Sequence, residues 1–297
     1  MKQIRYQKHF YALVVIAAFL VTSIRFVTVN AAVVLQNSSN SQEKILPPGI
    51  TDGVYDGVLM KMTDIAYSDL SLYVGDSLGS IAEIVKDPSG ISNQINTVNQ
   101  LYWHLPYSQA SQLFFSDLNN WKIIDVQDAE PIYGFYAIAF EQGNTIVIAY
   151  RGTDDIQDVM SDADIYLNIQ GEIKQLQLAE QFASDVRKSL PNSSYHVIFT
   201  GHSIGGWLAQ QMYLNELQKA PHAPWQSVHA TVFDSIGTEF RPSATYNLAV
   251  KDYHFQGDIF SHFGTTLGKK IGVPNPMPNE SIYDKHQLYN FYGYFYS

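Results

Sequence analysis

YHVIFTGHSIGGWLA, residues 195–209, joins an apolar run to a run of helical length through a glycine-spaced turn. Tyr195 to Thr200 form a short apolar run of the kind that makes a buried strand, and Trp207, Leu208, Ala209 and Met212 continue into a run of helical length. Between them Gly201-His202-Ser203-Ile204-Gly205-Gly206 fits G-x-S-x-G. Three fixed positions recur by chance, so the weight lies in the placement: a strand directly before and a helix directly after is the context of a nucleophile elbow. An elbow holds its serine on a strained turn above the sheet, and glycines at 201 and 205 remove the Cβ atoms that would clash there. Gly206 lets the helix approach the strand. The helix start also directs N–H groups toward the serine, so the N–H of Ile204 can serve an oxyanion. The bland alternative is a Gly-rich strand-to-helix turn with an exposed serine.

Helix and strand alternate on the C-terminal side. The patterns predict a helix over 204–219, a strand over 228–233 and another over 252–256. Upstream, Ile173, Leu176, Ala179, Phe182, Ala183 and Val186 share one helical face in a run from 172 to 190 that stops before Pro191. Before that come three strand-like runs, around Ile123 to Val126, Ile132 to Phe140 and Thr145 to Tyr150, the last two joined by Gln142-Gly143-Asn144 as a hairpin turn. This order predicts an α/β fold: a mostly parallel central sheet with helices on both faces and an antiparallel hairpin at its start. Residues 54–120 read as a mainly helical N-terminal part of the same unit, which spans 54–297.

Tyr150-Arg151-Gly152-Thr153 ends the strand before the long helix, where an α/β-hydrolase supplies its other oxyanion donor. AYRGT (149–153) and TGHSIGG (200–206) resemble the FRGT and GHSLGG motifs of the lipase class 3 family of α/β-hydrolases, over roughly residues 120 to 295. The resemblance implies the α/β-hydrolase fold and carboxyl-ester hydrolysis through a serine. It makes Thr153 the oxyanion-hole residue and Arg151 a structural brace, paired with an acid such as Asp154 or Asp155. It also places a lid at about 154–170.

Chain order in this fold is Ser, then Asp or Glu, then His. Of nine histidines, His222, His229, His254, His262 and His286 lie downstream of the elbow helix. The family's late-loop position selects His286, with His262 as rival. For the acid, Asp258 follows the strand after 228–233, where the family's D-x-V-P motif would fall, and Asp234, at the end of 228–233, is the alternative. The chain departs from the family pattern at both places: no Val-Pro follows Asp258 and no Pro follows Phe233. The expected catalytic set is therefore Ser203, Asp258 and His286, served by the N–H groups of Thr153 and Ile204.

Composition bounds the rest. Hydrophobic residues make up 46% of the 297 and charged residues 15%, which excludes a disordered chain. The net charge of −10 with no basic stripe argues against nucleic acid as a partner. Cysteine is absent, so no thiol can be the nucleophile or a metal ligand. Asp154, Asp158 and Asp162 repeat at i, i+4, but without the Gly-containing form of a calcium loop, and no metal or organic cofactor is expected. Lys2, Arg5 and Lys8 precede an apolar run from Phe10 to Ile24, too short for a transmembrane helix at about 18–20 residues, and Val29 and Ala31 suit cleavage near Ala31. The expectation is a signal peptide over 1–31, a polar linker over 32–53 and a secreted enzyme, an uncleaved anchor being the alternative. The expected partner is a lipid or other ester, with the aromatic load, concentrated in YNFYGYFY (289–296), suiting both core packing and a lipid–water interface. A non-catalytic lipid-binding or surface interaction protein on the same fold is the second reading, and a serine peptidase a third.

Overall fold

A computed structural model describes residues 49–84, 95–102, 104–152, 169–192, 194–219, 225–238, 249–262, 264, 267–275 and 279–296. The expected signal peptide, most of the expected linker, Thr153, residues 154–168 of the expected lid (with Asp154, Asp155, Asp158 and Asp162) and His222 lie outside the described residues.

A two-stranded ribbon, β1 (Ile50–Thr51) and β2 (Val54–Tyr55), leads into the helix Asp56–Ile65. The main sheet has seven strands in sequence order: β3 (Lys122–Ala129), β4 (Phe135–Gln142), β5 (Thr145–Tyr150), β6 (His196–His202), β7 (Ser227–Phe233), β8 (Val250–Phe255) and β9 (Lys269–Val273). β3, β4 and β5 pair antiparallel and β5 to β9 parallel, so the antiparallel start expected from the sequence is present. Helices cover both faces: this is the α/β-hydrolase fold.

Strand alternation builds the two faces. In β4 and β5, Ile138, Phe140, Val147 and Ala149 face a core shared with Leu59, Met62, Phe291 and Phe295, whereas Ala137, Ala139, Ile146 and Ile148 face Phe182, Val186, Leu208 and Met212. The helix Asp56–Ile65 therefore lies on one face and the helices Ile169–Ser189 and Ile204–Gln218 on the other. The C-terminal aromatics close the first core: Phe291 and Phe295 are buried, with ring centroids 5.5 Å from Phe233 and 5.1 Å from Tyr253 respectively.

Two elements differ from the expectation. Ile132 and Tyr133 are not in a strand. Pro131 lies in the first turn of the short helix Glu130–Tyr133, which ends at Gly134 with φ 62, so β4 begins only at Phe135. β9 is an edge strand too short and lysine-rich (KKIGV) to stand out by periodicity.

The N-terminal segment is fastened to the sheet by a buried ion pair. Asp56 Oδ2 accepts from Lys251 Nζ and from the Tyr253 hydroxyl, each at 2.6 Å, and Asp56 Oδ1 accepts from Thr51 Oγ1 at 2.6 Å.

Candidate active site

Ser203 sits between β6 and the following helix at φ 58, ψ −124, a strained conformation for a residue with a side chain. The flanking glycines explain how it is held. A Cβ on Gly205 would drive into the carbonyl oxygen of Tyr150, one on Gly201 into that of Gly205, and one on Gly206 would come 2.6 Å from Ser235 Oγ. The helix start is thus pressed against the ends of β5 and β6. Ile204 opens that helix, so its N–H has no intrahelical acceptor.

The end of β5 supplies the second side of the site. Arg151 donates its backbone N–H to Tyr136 O at 3.0 Å, and its guanidinium lies 3.3 Å from Glu130 and over the Tyr136 ring. Gly152 follows, buried, and a Cβ there would stand 3.3 Å from Ser203 Cβ and 2.7 Å from the Tyr67 hydroxyl. The segment carrying the expected oxyanion residue therefore runs directly beside the serine, while Thr153 itself is outside the described residues.

The structure brings His286 and Asp258 together. Nδ1 of His286 donates to Asp258 Oδ1 at 2.9 Å, with both side chains buried. Asp258 lies just past β8, after Gly257 at φ 92, and also accepts the N–H groups of Ser261 (2.8 Å) and Phe260 (3.2 Å). Burial pushes its carboxyl up, but the His286 hydrogen bond and charge, with these N–H donors, outweigh it and hold the carboxyl below the usual range. His286 Nε2, the other nitrogen, is buried without a hydrogen-bond partner. Ser203 is likewise buried, at 3% exposed. The rival His262 gives its Nδ1–H to the Asp258 carbonyl at 2.8 Å.

His202 does more than occupy the variable position of the elbow. Its Nε2–H donates to the His286 carbonyl at 2.8 Å, which leaves Nδ1 to accept from the Tyr67 hydroxyl at 2.9 Å, and its ring lies 4.6 Å from the His286 ring. Burial, followed by the charge of His286, pushes its pKa down to about 3, so it stays neutral. Tyr67, just past the helix Asp56–Ile65, belongs to the site; nothing in its local sequence marks it.

Asp234, the alternative acid, ends β7 at φ 41 and is buried; Oδ1 accepts the Phe255 N–H at 2.7 Å and Oδ2 has no partner. Burial and then the Asp258 charge push its carboxyl well above the usual range. One donor atom each from His202, Asp234 and His286 lie within 4.8 Å of one another, the one grouping near metal-ligand spacing among the described residues. Both nitrogens of His202 are already hydrogen-bonded, so that set lacks a third uncommitted donor atom.

With this geometry in place, the comparisons with known proteins fix the family. The sequence profile described as Phospholipase-like: Tle-like phospholipase domain matches residues 102–273, more than half of the chain. The chain belongs to this Tle-like phospholipase family. Its domain is accordingly of the lipid-hydrolase type. The matched residues include the elbow, Asp234 and Asp258; Tyr67 and His286 lie outside the match. No curated protein matches the chain in sequence. Among solved structures, the Tle-like domain is similar to lipase II from Rhizopus niveus (15% identity, TM-score 0.45, 61% of this chain and 83% of that one). It is also similar to MDLA from Penicillium cyclopium (13%, 0.49, 74% and 79%) and to the Rhizomucor miehei lipase propeptide complex (14%, 0.39, 81% of each).

Proposed function

We propose that this protein is a serine carboxyl-ester hydrolase acting on lipid, with Ser203 as nucleophile, His286 as general base and Asp258 as its acid. The observation that carries the reading is the buried Asp258–His286 pair at 2.9 Å, whose outer nitrogen is left unpartnered and whose backbone is hydrogen-bonded to His202, the neighbour of the strained Ser203. Asp258 holds the imidazole in the tautomer with the proton on Nδ1, so Nε2 is free to accept the Ser203 proton as Oγ attacks the ester carbonyl. The oxyanion is received by the N–H groups of Ile204 and Thr153. The alcohol leaves with the proton from His286, and water resolves the acyl-enzyme by the same base.

Fluorophosphonate treatment of the purified protein beside Ser203→Ala, with the adduct located by mass spectrometry, tests this. Stoichiometric labelling at Ser203, absent from the variant, is the expected result. A folded protein left unlabelled in the presence of detergent sinks the enzyme and favours a lipid-binding protein on the same fold. Ester cleavage in large excess over amide cleavage separates the lipase from a peptidase.

Export belongs to the same proposal: residues 1–31 act as a signal peptide removed near Ala31, and 32–53 link it to the enzyme. N-terminal sequencing of the protein recovered from outside the cell would find a start near Ala32.

A further inference from the structure

Asp234 and Asp258 follow the neighbouring parallel strands β7 and β8, and both deliver fully buried carboxyl groups to the surroundings of one imidazole. Asp258 takes His286 Nδ1. Asp234 spends Oδ1 on the Phe255 amide, and its second oxygen is buried with no partner. A carboxyl oxygen of Asp234 stands within 4.8 Å of a His286 nitrogen, inside the range over which opposite charges stabilise each other. An asparagine would tolerate the positive φ and accept the Phe255 N–H equally well. What an aspartate adds is a second oxygen that can ionise.

We propose that Asp234 is a reserve acid for His286, a positioning residue that compensates the imidazolium when Asp258 cannot. The proposal rests on the reading of Ser203, His286 and Asp258 given above. The two carboxyls differ in readiness. Asp258 is ionised with its donors in place, and its charge is one of the forces that keep the proton on Asp234. The groups facing Asp234 are Asp258 from the loop after β8, Asp252 from β8, Lys270 from β9, His202 from β6 and His286 from the C-terminal loop. Asp252 adds to the repulsion, Lys270 and the Phe255 N–H oppose it, and His202 is neutral. Replacing Asp258 by a neutral residue removes the larger repulsion, so Asp234 ionises more readily beside the same imidazole.

The test is the rate of fluorophosphonate labelling of the full-length protein across pH for wild type, Asp258→Asn, Asp234→Asn and the double variant. Loss of a lone triad carboxylate costs about 10⁴-fold. The expected loss for Asp258→Asn is about 10²-fold, with a residual rate that rises with pH as Asp234 ionises. Asp234→Asn alone slows labelling about 3-fold, and the double variant loses the pH-dependent limb and falls to about 10⁴-fold below wild type. Equal rates for Asp258→Asn and the double variant at every pH overturn the proposal. So does a loss of about 10³-fold or more in folded Asp234→Asn, which would make Asp234 the primary acid. Asp234→Gly, which accepts the positive φ, replaces Asn if that variant does not fold. A wild type that fails to label fails the hydrolase reading itself, and is distinguishable from all of these.

Discussion

His202 donates its Nε2–H to the backbone carbonyl of His286 at 2.8 Å, so the residue beside the nucleophile holds the loop that carries the base. The carbonyl can only accept, so it fixes the proton on Nε2, and the Tyr67 hydroxyl donates to the Nδ1 that this leaves bare, at 2.9 Å. A residue 135 positions upstream thereby braces the neighbour of the nucleophile.

Tyr67→Phe removes the donor to His202 Nδ1 while keeping the ring. The expected result is a fall of about 10-fold in kcat with KM unchanged, and a stability loss of about 1–3 kcal/mol from the unsatisfied buried nitrogen. His202→Ala, which also frees the His286 loop, falls further, to about 100-fold. Steady-state kinetics on a soluble ester checks both; an unchanged kcat in Tyr67→Phe would cut the tyrosine out of the site.

The neutral His202 also gives stability a pH signature. Its pKa falls from 6.5 to about 3 on folding, so between those values the unfolded chain binds one proton more than the native one at this position. Stability from this group therefore rises with pH through that window, at up to about 1.4 kcal/mol per pH unit. Asp234 acts in the opposite sense above about pH 3.9, because its raised pKa makes the native state hold a proton the unfolded chain releases. Asp258, depressed, loses its contribution only below about pH 3.9. The informative quantity is the difference between wild type and His202→Gln in urea unfolding from pH 4.5 to 6.5. The variant should lose stability less steeply as pH falls; parallel curves would mean His202 titrates normally.

Much of this fold was legible because its signals are local. An apolar run, a glycine-spaced turn and a helical run in direct succession read as strand, elbow and helix, and the stretch 195–209 carries all three. The turn at Glu130–Tyr133 was misread because Ile132 and Tyr133 extend an apolar run, and only the pairing of Pro131 with a left-handed Gly134 breaks it. Tyr67 and the closeness of Asp234 to His286 were invisible for a different reason. Both depend on chain separations of 135 and more than 50 residues closed by the sheet, and no residue pattern encodes that.

Two glycines separate packing from backbone freedom. At Gly205 an added Cβ meets the Tyr150 carbonyl, which belongs to the sheet and cannot yield. Gly205→Ala should cost more than about 3 kcal/mol and abolish labelling at Ser203. Gly293, in the last helix, has nothing within 4 Å of such a Cβ and no positive φ. Gly293→Ala should gain about 0.5–1 kcal/mol through reduced unfolded-state entropy. Thermal melts of the two variants should move in opposite directions.

The Asp56–Lys251 pair tests what fastens the N-terminal segment. Both side chains are buried, and burial pushes the Lys251 pKa down, so the ammonium is already under strain that Asp56 relieves. Removing the acid alone leaves a buried cation without its counter-charge, and Asp56→Ala should cost about 3–5 kcal/mol. Removing both charges is different: in Asp56→Ala/Lys251→Met the desolvation penalty disappears with the pair, and the double variant should be more stable than Asp56→Ala alone by about 1–2 kcal/mol. Lys251→Met alone should be the milder single change, because Thr51 and Tyr253 still donate to the carboxylate. Chemical denaturation of the four proteins closes the cycle. A coupling energy near zero would mean that the strap is held by the Thr51 and Tyr253 hydroxyls and that the ion pair adds nothing.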